Sequence, residues 1–178
     1  MIVVLSGPPC AGKSYIGEML AAQRGLVHLE MDYFRQRLLP DAAHTRQDRI
    51  VAYRAMHLAA ELLLARGIGV ILNAGYSHAC DRREVEEIAR RTSAPLYLVE
   101  FRISPETAVE RSRRRRALHP GLDLTEERVR TLVLEFPYFR KGLLVDGEAP
   151  ADETLARIQN YLSTGAPLAP GLWTGAGI

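Results

Sequence analysis

Gly7-Pro8-Pro9-Cys10-Ala11-Gly12-Lys13-Ser14 has the spacing G-x-x-x-x-G-K-[ST]. In such a loop successive backbone N–H groups wrap a phosphate, the lysine bridges outer phosphate oxygens and the hydroxyl reaches a divalent cation. The flanks give the pattern its weight. Ile2-Val3-Val4-Leu5 is a short β-branched apolar run, as a central parallel strand buried on both faces requires. Residues 15–24 follow with Ile16, Met19 and Leu20 at helical core spacing. Strand, glycine loop and helix in that order aim N–H groups and the positive end of a helix at an anion. The whole loop, with Tyr15 just after it, is the expected phosphate cradle, and Ser14 is the expected ligand for Mg2+.

The lysine is informative in its own right. Only Lys13 and Lys141 occur among 23 basic side chains, the remainder being arginine. A chain that otherwise uses arginine has kept a compact ammonium where two phosphates must be bridged, a place a planar guanidinium does not fill. Nucleoside triphosphate binding, most simply ATP with Mg2+, is the expectation.

Length and composition fit one α/β unit. The 178 residues are 47% hydrophobic with a net charge of +2, too small to imply nucleic-acid or membrane binding by itself. No run approaches the roughly 20 apolar residues of a membrane span, and the first residues read as a strand rather than a signal peptide. Cys10 and Cys80 suggest no disulfide framework, and two reduced thiols in an ATP user point to the cytoplasm. Strand and helix signals alternate. Strands are expected near 2–5, 26–30, 69–73, 96–103 and 143–145. Helices are expected over 33–39, from about 47 to Arg66, over 80–91, after Ser104-Pro105-Glu106, from about Thr125 and over 152–162. That alternation predicts a doubly wound, five-stranded parallel sheet with helices on both faces over residues 1–162. Residues 163–178 form a Gly/Pro/Ala-rich tail that is either docked or flexible.

Asp32 follows the second strand, at the carboxyl edge where open α/β sheets bind ligands. There a carboxylate can accept a proton from an attacking hydroxyl or hold a metal's water shell. It could equally be the N-cap of a helix beginning at Tyr33. Arg35, one turn on and on the same face, favours a site for an oxyanionic group.

"MDYFRQRL" following "GPPCAGKS" resembles the small P-loop kinase group that contains polynucleotide 5′-kinases, chloramphenicol phosphotransferase and zeta toxins. The resemblance continues through "LLLARGIGVILNAGYSHACDRREVEEIARR", "LYLVEFRISPETAVERSRRRR" and "LLVDGEAPADETLARI". It implies that Asp32 is the general base and that a mobile Arg-rich lid presents Arg111 and Arg115. Those two are four apart on one helix face, so both could neutralise charge during phosphoryl transfer. The competing reading of this charge run is a solvated basic face. The group often has an Asp at the end of the third strand, where this chain has Asn73.

Arg54 on the long helix, Asn73, and Tyr76 with Ser77 and His78 after the third strand are further candidates for contact with the acceptor. The expected acceptor wall mixes Tyr33, Phe34, Tyr53 and Tyr76 with few cations beyond Arg35 and Arg54, which suits a mostly neutral small molecule. Phe136, Tyr138 and Phe139 read as a hydrophobic closure. The functional expectation is an ATP-dependent kinase acting on a hydroxyl of a small-molecule acceptor. A polynucleotide 5′-hydroxyl kinase is the nearest rival, so a nucleic acid partner stays open, and a nucleotide-binding regulatory module comes after it. GTPase base-reading and switch motifs are absent from the sequence.

Overall fold

The structure, a computed structural model, describes residues 1–40, 45–118 and 124–173. Residues 41–44, the loop expected at His119-Pro120-Gly121 and the tail end 174–178 lie outside the described residues. Five strands, β1 (Ile2–Ser6), β2 (Val27–Glu30), β3 (Val70–Ala74), β4 (Leu96–Arg102) and β5 (Leu143–Asp146), form one sheet in the order β2-β3-β1-β4-β5. Every pairing is parallel. The helices among the described residues are α1 (Lys13–Arg24), α2 (Met31–Leu38), α3 (Arg46–Leu64), α4 (Ala79–Thr92), α5 (Pro105–Leu118), α6 (Glu126–Leu134) and α7 (Ala151–Thr164).

Strand alternation builds two cores. Ile2, Val4, Val70, Leu72, Leu96 and Leu98 turn to one face, against Met56 and Ala60 of α3 and Val85 and Ile88 of α4. Val3, Leu5, Ile71, Val99 and Phe101 turn to the other, against Ile16 and Leu20 of α1, Val129 of α6 and Ile158 of α7. Each fully buried aliphatic side chain contributes about 1.5–3 kcal/mol, and β1 is buried at every position because both its faces are covered.

Local chemistry sets the helix starts. Thr45 and Asp48 form a reciprocal capping box at α3, and Ser104 Oγ accepts from the Thr107 N–H at the start of α5. The expected boundaries shift in two places that matter. The first helix begins at Lys13, so the lysine and Ser14 belong to its first turn. The second begins at Met31 with Glu30 in the N-cap position, so Asp32 is not the cap but a first-turn acid, favoured there by the helix dipole.

Beyond α7 the chain returns to the sheet. The Leu168 N–H donates to Leu96 O at 2.7 Å, and the Trp173 N–H donates to Glu86 Oε1 at 2.9 Å. Trp173 is completely buried against Tyr76, ring centroids 5.2 Å apart. The described part of the tail is docked.

Candidate active site

The loop from Gly7 to Gly12 lies over the carboxyl end of β1, at the point where the chain passes from β3 on one side of β1 to β4 on the other. Two glycines make that path possible. Gly7 has φ 153°, and a Cβ there would stand 2.7 Å from Phe101 O. Gly12 has φ 89° at the N-cap of α1. Lys13 Nζ donates to Gly7 O at 2.8 Å and Pro8 O at 2.7 Å, curled onto its own loop. Burial lowers its pKa to about 8, and Asp32 is the foremost charge pulling it back up. Lys13 therefore lies within reach of the Asp32 charge.

The α5 arginines stand beside the same loop. Arg111 Nη1 donates to Cys10 O at 3.2 Å and to Gly147 O at 2.8 Å, tying the phosphate loop to the turn after β5. Arg115 adds its charge there: burial raises the Cys10 thiol pKa, and Arg115 heads the cations that oppose the rise. A cavity of about 350 Å3 opens next to Arg111, lined among others by Gly12, Tyr15, Phe101, Gly147 and Thr154. Its position beside the phosphate loop and its largely apolar wall suit a nucleoside base.

Across from it, Asp32 and Arg35 project from α2. The Asp32 side chain is 69% exposed, whereas Arg35 is 7% exposed and holds its Nε 3.6 Å from Asp32 Oδ1. The buried guanidinium fixes the carboxylate, and the carboxylate keeps an open side.

Asn73, at the end of β3, donates from Nδ2 to Ser14 Oγ at 3.1 Å and to Glu30 Oε1 at 2.5 Å. Asp146 is elsewhere, accepting from the Glu148 N–H and 3.7 Å from Arg102 Nη2 at the β4–β5 end of the sheet. No group of three metal-ligating side chains converges among the described residues. A Mg2+ site needs no such cluster, because the ion keeps several waters and relies on phosphates plus one or two protein oxygens. Ser14 is positioned for such a role.

The acceptor side differs from expectation. Tyr76 does not line the cleft. Its backbone turns with φ 55°, and its fully buried ring packs on Tyr53, His57 and Trp173. Tyr53 is buried with it and accepts the Tyr76 N–H through its hydroxyl at 3.0 Å. These rings had to go inward because they cover the apolar face of β3 and anchor the tail. Arg54 is exposed on α3, and among the carboxylates its charge acts on is Glu84 of α4. The cation that α3 brings toward the sheet edge is Arg46, which sequence reasoning missed. Its Nη2 is 2.9 Å from Asp81 Oδ1 and 3.2 Å from Cys80 Sγ. Exposed His78 is held below its usual pKa by partial burial, then by Arg46, Arg49 and Arg82 against the pull of Asp81. Phe139 is part of a closure, with the Arg82 guanidinium 3.9 Å above its ring.

The AAA domain family matches residues 2–137. No curated protein matches the chain significantly. A gluconokinase from Sinorhizobium meliloti superposes with a TM-score of 0.62 at 20% identity, over 91% of this chain and 96% of that one. The Mycobacterium tuberculosis APS kinase in complex with AMPPNP and APS gives 0.69 at 17%, over 92% and 97%. The Pnkp1/Rnl/Hen1 RNA repair complex gives 0.65 at 18%, over 76% of this chain and 43% of that one. At these identities the likeness is one of fold. No described helix is long and apolar enough to cross a membrane. With a match running from the first strand through the whole phosphate loop to beyond α6, the chain belongs to the AAA domain family.

Proposed function

We propose that this protein is a kinase, using ATP and Mg2+ to phosphorylate a hydroxyl of a small molecule that also carries an anionic group. The observation that carries the reading is Asp32. It is an open carboxylate held by a buried arginine, and its charge acts on the phosphate-loop lysine. In the reaction the loop N–H groups and the α1 N-terminus hold the phosphates. Lys13 exchanges the carbonyls of Gly7 and Pro8 for phosphate oxygens. Asp32 accepts the proton of the acceptor hydroxyl as its oxygen bonds to the γ-phosphorus and the bond to the β-phosphate oxygen breaks, releasing ADP. Arg111 and Arg115 offset negative charge near the loop. Mg2+, held through Ser14, would neutralise phosphate charge. Other kinases share this fold, including one with a bound ATP analogue.

The anionic feature of the acceptor follows from the rim. Burial of Tyr53 and Tyr76 leaves Tyr33 and Phe34 as the aromatic part of the wall, and the charges of Arg46, Arg49 and Arg82 act together on exposed His78 after β3, with Asp81 as their counter-charge. A carboxylate or phosphate on the acceptor would meet that positive field. The test is a panel of matched acceptors, hydroxy acids and sugar phosphates against their neutral counterparts, followed by ADP release and product mass. Acidic members should be preferred, and Arg49→Gln should raise their KM several-fold while leaving the KM for ATP unchanged. Preference for the neutral members would sink the anionic assignment. A 5′-hydroxyl oligonucleotide belongs in the panel because a repair-complex chain shares the fold. Labelling of the oligonucleotide alone, weakening steeply with salt, would establish the polynucleotide reading instead.

A further inference from the structure

Ser14 offers a metal ion a neutral hydroxyl, and Asn73 beside it is also neutral. A Mg2+ site that rests on phosphates ordinarily includes at least one protein carboxylate. Asp32 is turned to Arg35. Glu30 is the other carboxylate whose charge acts on Lys13, and its placement is specific. It ends β2 in direct register with Asn73 on β3, so the two residues occupy one rung of the sheet. One amide group joins the three side chains: Asn73 Nδ2 donates to Glu30 Oε1 at 2.5 Å and to Ser14 Oγ at 3.1 Å, with His28 Nε2 also 3.3 Å from it. Two acceptors on one NH2 group lie within about 6 Å of each other, a span that one metal-bound water can bridge.

Two further observations bear on what Glu30 is for. It sits in the N-cap position of α2 but makes no capping bond from its side chain, so its carboxylate is not spent on the helix. Its side chain also remains 29% exposed, and a cavity of about 240 Å3 lined by His28, Glu30, Tyr33 and Phe34 opens beside it. His28 Nε2 is 3.9 Å from Glu30 Oε1, on the wall of the same cavity. The Asn73 amide orientation follows from its bond to Glu30, since two oxygens facing each other there would repel.

We propose that Glu30 supplies, from β2, the carboxylate that holds the water shell of the Mg2+ at Ser14, with Asn73 setting the spacing between them. The proposal rests on the nucleotide-binding part of the reading above and not on transfer to any acceptor. The test is Mn2+ binding to the full chain with AMPPNP, followed by electron paramagnetic resonance. Glu30→Gln should weaken Mn2+ binding in the complex by about tenfold or more, the range seen when a metal's outer-shell partner is lost. Metal-free AMPPNP affinity should stay as in the parent chain. Moving the acid within the rung, with Glu30→Gln and Asn73→Asp together, should restore most of the loss. Glu30→Asp, with its charge on a shorter arm, should fall between parent and Glu30→Gln, and it covers the case in which Glu30→Gln fails to fold. Equal Mn2+ binding by parent, Glu30→Asp and any folded Glu30→Gln overturns the proposal. Loss of transfer at saturating Mg2+ with unchanged Mn2+ binding also overturns it and makes Glu30 the base. A parent chain that binds Mn2+ with AMPPNP but phosphorylates no acceptor tells against the kinase reading alone.

Discussion

The two sides of the sheet's carboxyl edge are built by different means. On the nucleotide side the contacts run to backbone: Lys13 and Arg111 donate to the carbonyls of Gly7, Pro8, Cys10 and Gly147, and glycines let strands and loop approach closely. On the acceptor side they come from side chains, in long-range pairs such as Arg46 with Asp81, Tyr53 with Tyr76 and Tyr76 with Trp173. Backbone geometry admits few substitutes, whereas side-chain pairs can be exchanged without moving the scaffold. The nucleotide side should therefore be brittle toward mutation and the acceptor side tunable.

The comparison is tested hardest by its two central side chains. Lys13→Ala should abolish turnover and weaken ATP binding, since the lost ammonium is the one the loop holds between Gly7 and Pro8 carbonyls. Near-normal turnover would remove the phosphate site from this loop. Asp32→Asn should keep ATP affinity while lowering kcat by about 10²–10⁴, as for a lost general base. The structure sharpens this expectation, because Asp32 caps no helix and its exposed carboxylate has little folding role. A fall in melting temperature equal to that of a core mutant, with kcat preserved per folded molecule, would return Asp32 to a structural role.

A smaller effect separates the arginines. Arg111 bridges Cys10 O and Gly147 O before any nucleotide arrives, so Arg111→Ala should raise the KM for ATP as well as lower kcat. Arg115 contributes charge near Cys10 and makes no such bridge among the described residues, and Arg115→Ala should act mainly on kcat, by about tenfold. Steady-state kinetics over ATP concentration reads the difference. Identical profiles for the two variants would erase the distinction between a residue that shapes the base pocket and one that acts on charge alone.

What could be read from the sequence follows the same division. The phosphate loop, its strand and its helix lie within 24 consecutive residues, and local spacing was enough to place them. The sheet was legible because β1, β3 and β4 each begin with an apolar run, residues 2–5, 70–72 and 96–99, with turn residues between. Tyr76 misled because its position after β3 is a cleft position, but its left-handed turn and a tryptophan 97 residues later draw the ring into the core. Glu30 was overlooked for a related reason. Its partner Asn73 is 43 residues away, and only the β2–β3 register puts them on one rung. A weak signal existed: a strand ending in an acid two positions before Asp32 places two carboxylates at one edge. Arg46 gave none, since its role depends on Asp81 of another helix.

The tail offers a milder test of the acceptor side. Trp173 is fully buried on Tyr76, so Trp173→Ala should cost about 3–5 kcal/mol of stability, measured as a lower urea midpoint by circular dichroism. ATP affinity should hardly change in the folded protein, because the tryptophan packs on the α3–α4 face of the sheet and α1 lies on the other. Acceptor KM should move modestly, through the turn that carries Tyr76 and His78. An unchanged urea midpoint would mean that the tail rests on the surface without contributing to the fold.

The smallest effect is a proton. Burial puts the Lys13 ammonium at about 8 in the free protein, well below its usual 10.5, so the lysine loses its charge as pH rises through 8. Bound phosphates favour the charged form and should lift that pKa again. Nucleotide binding must then take up a proton in the window between the two values and almost none below it. Calorimetric titration with a nonhydrolysable ATP analogue, repeated at pH 7 and pH 9 in buffers of differing ionisation enthalpy, measures the uptake. Uptake of most of one proton at pH 9, fading at pH 7 and absent in Lys13→Ala, is the expected result. No buffer dependence at pH 9 would mean that the carbonyls of Gly7 and Pro8 already hold the ammonium fully charged, and that the loop is as preorganised in charge as it is in backbone.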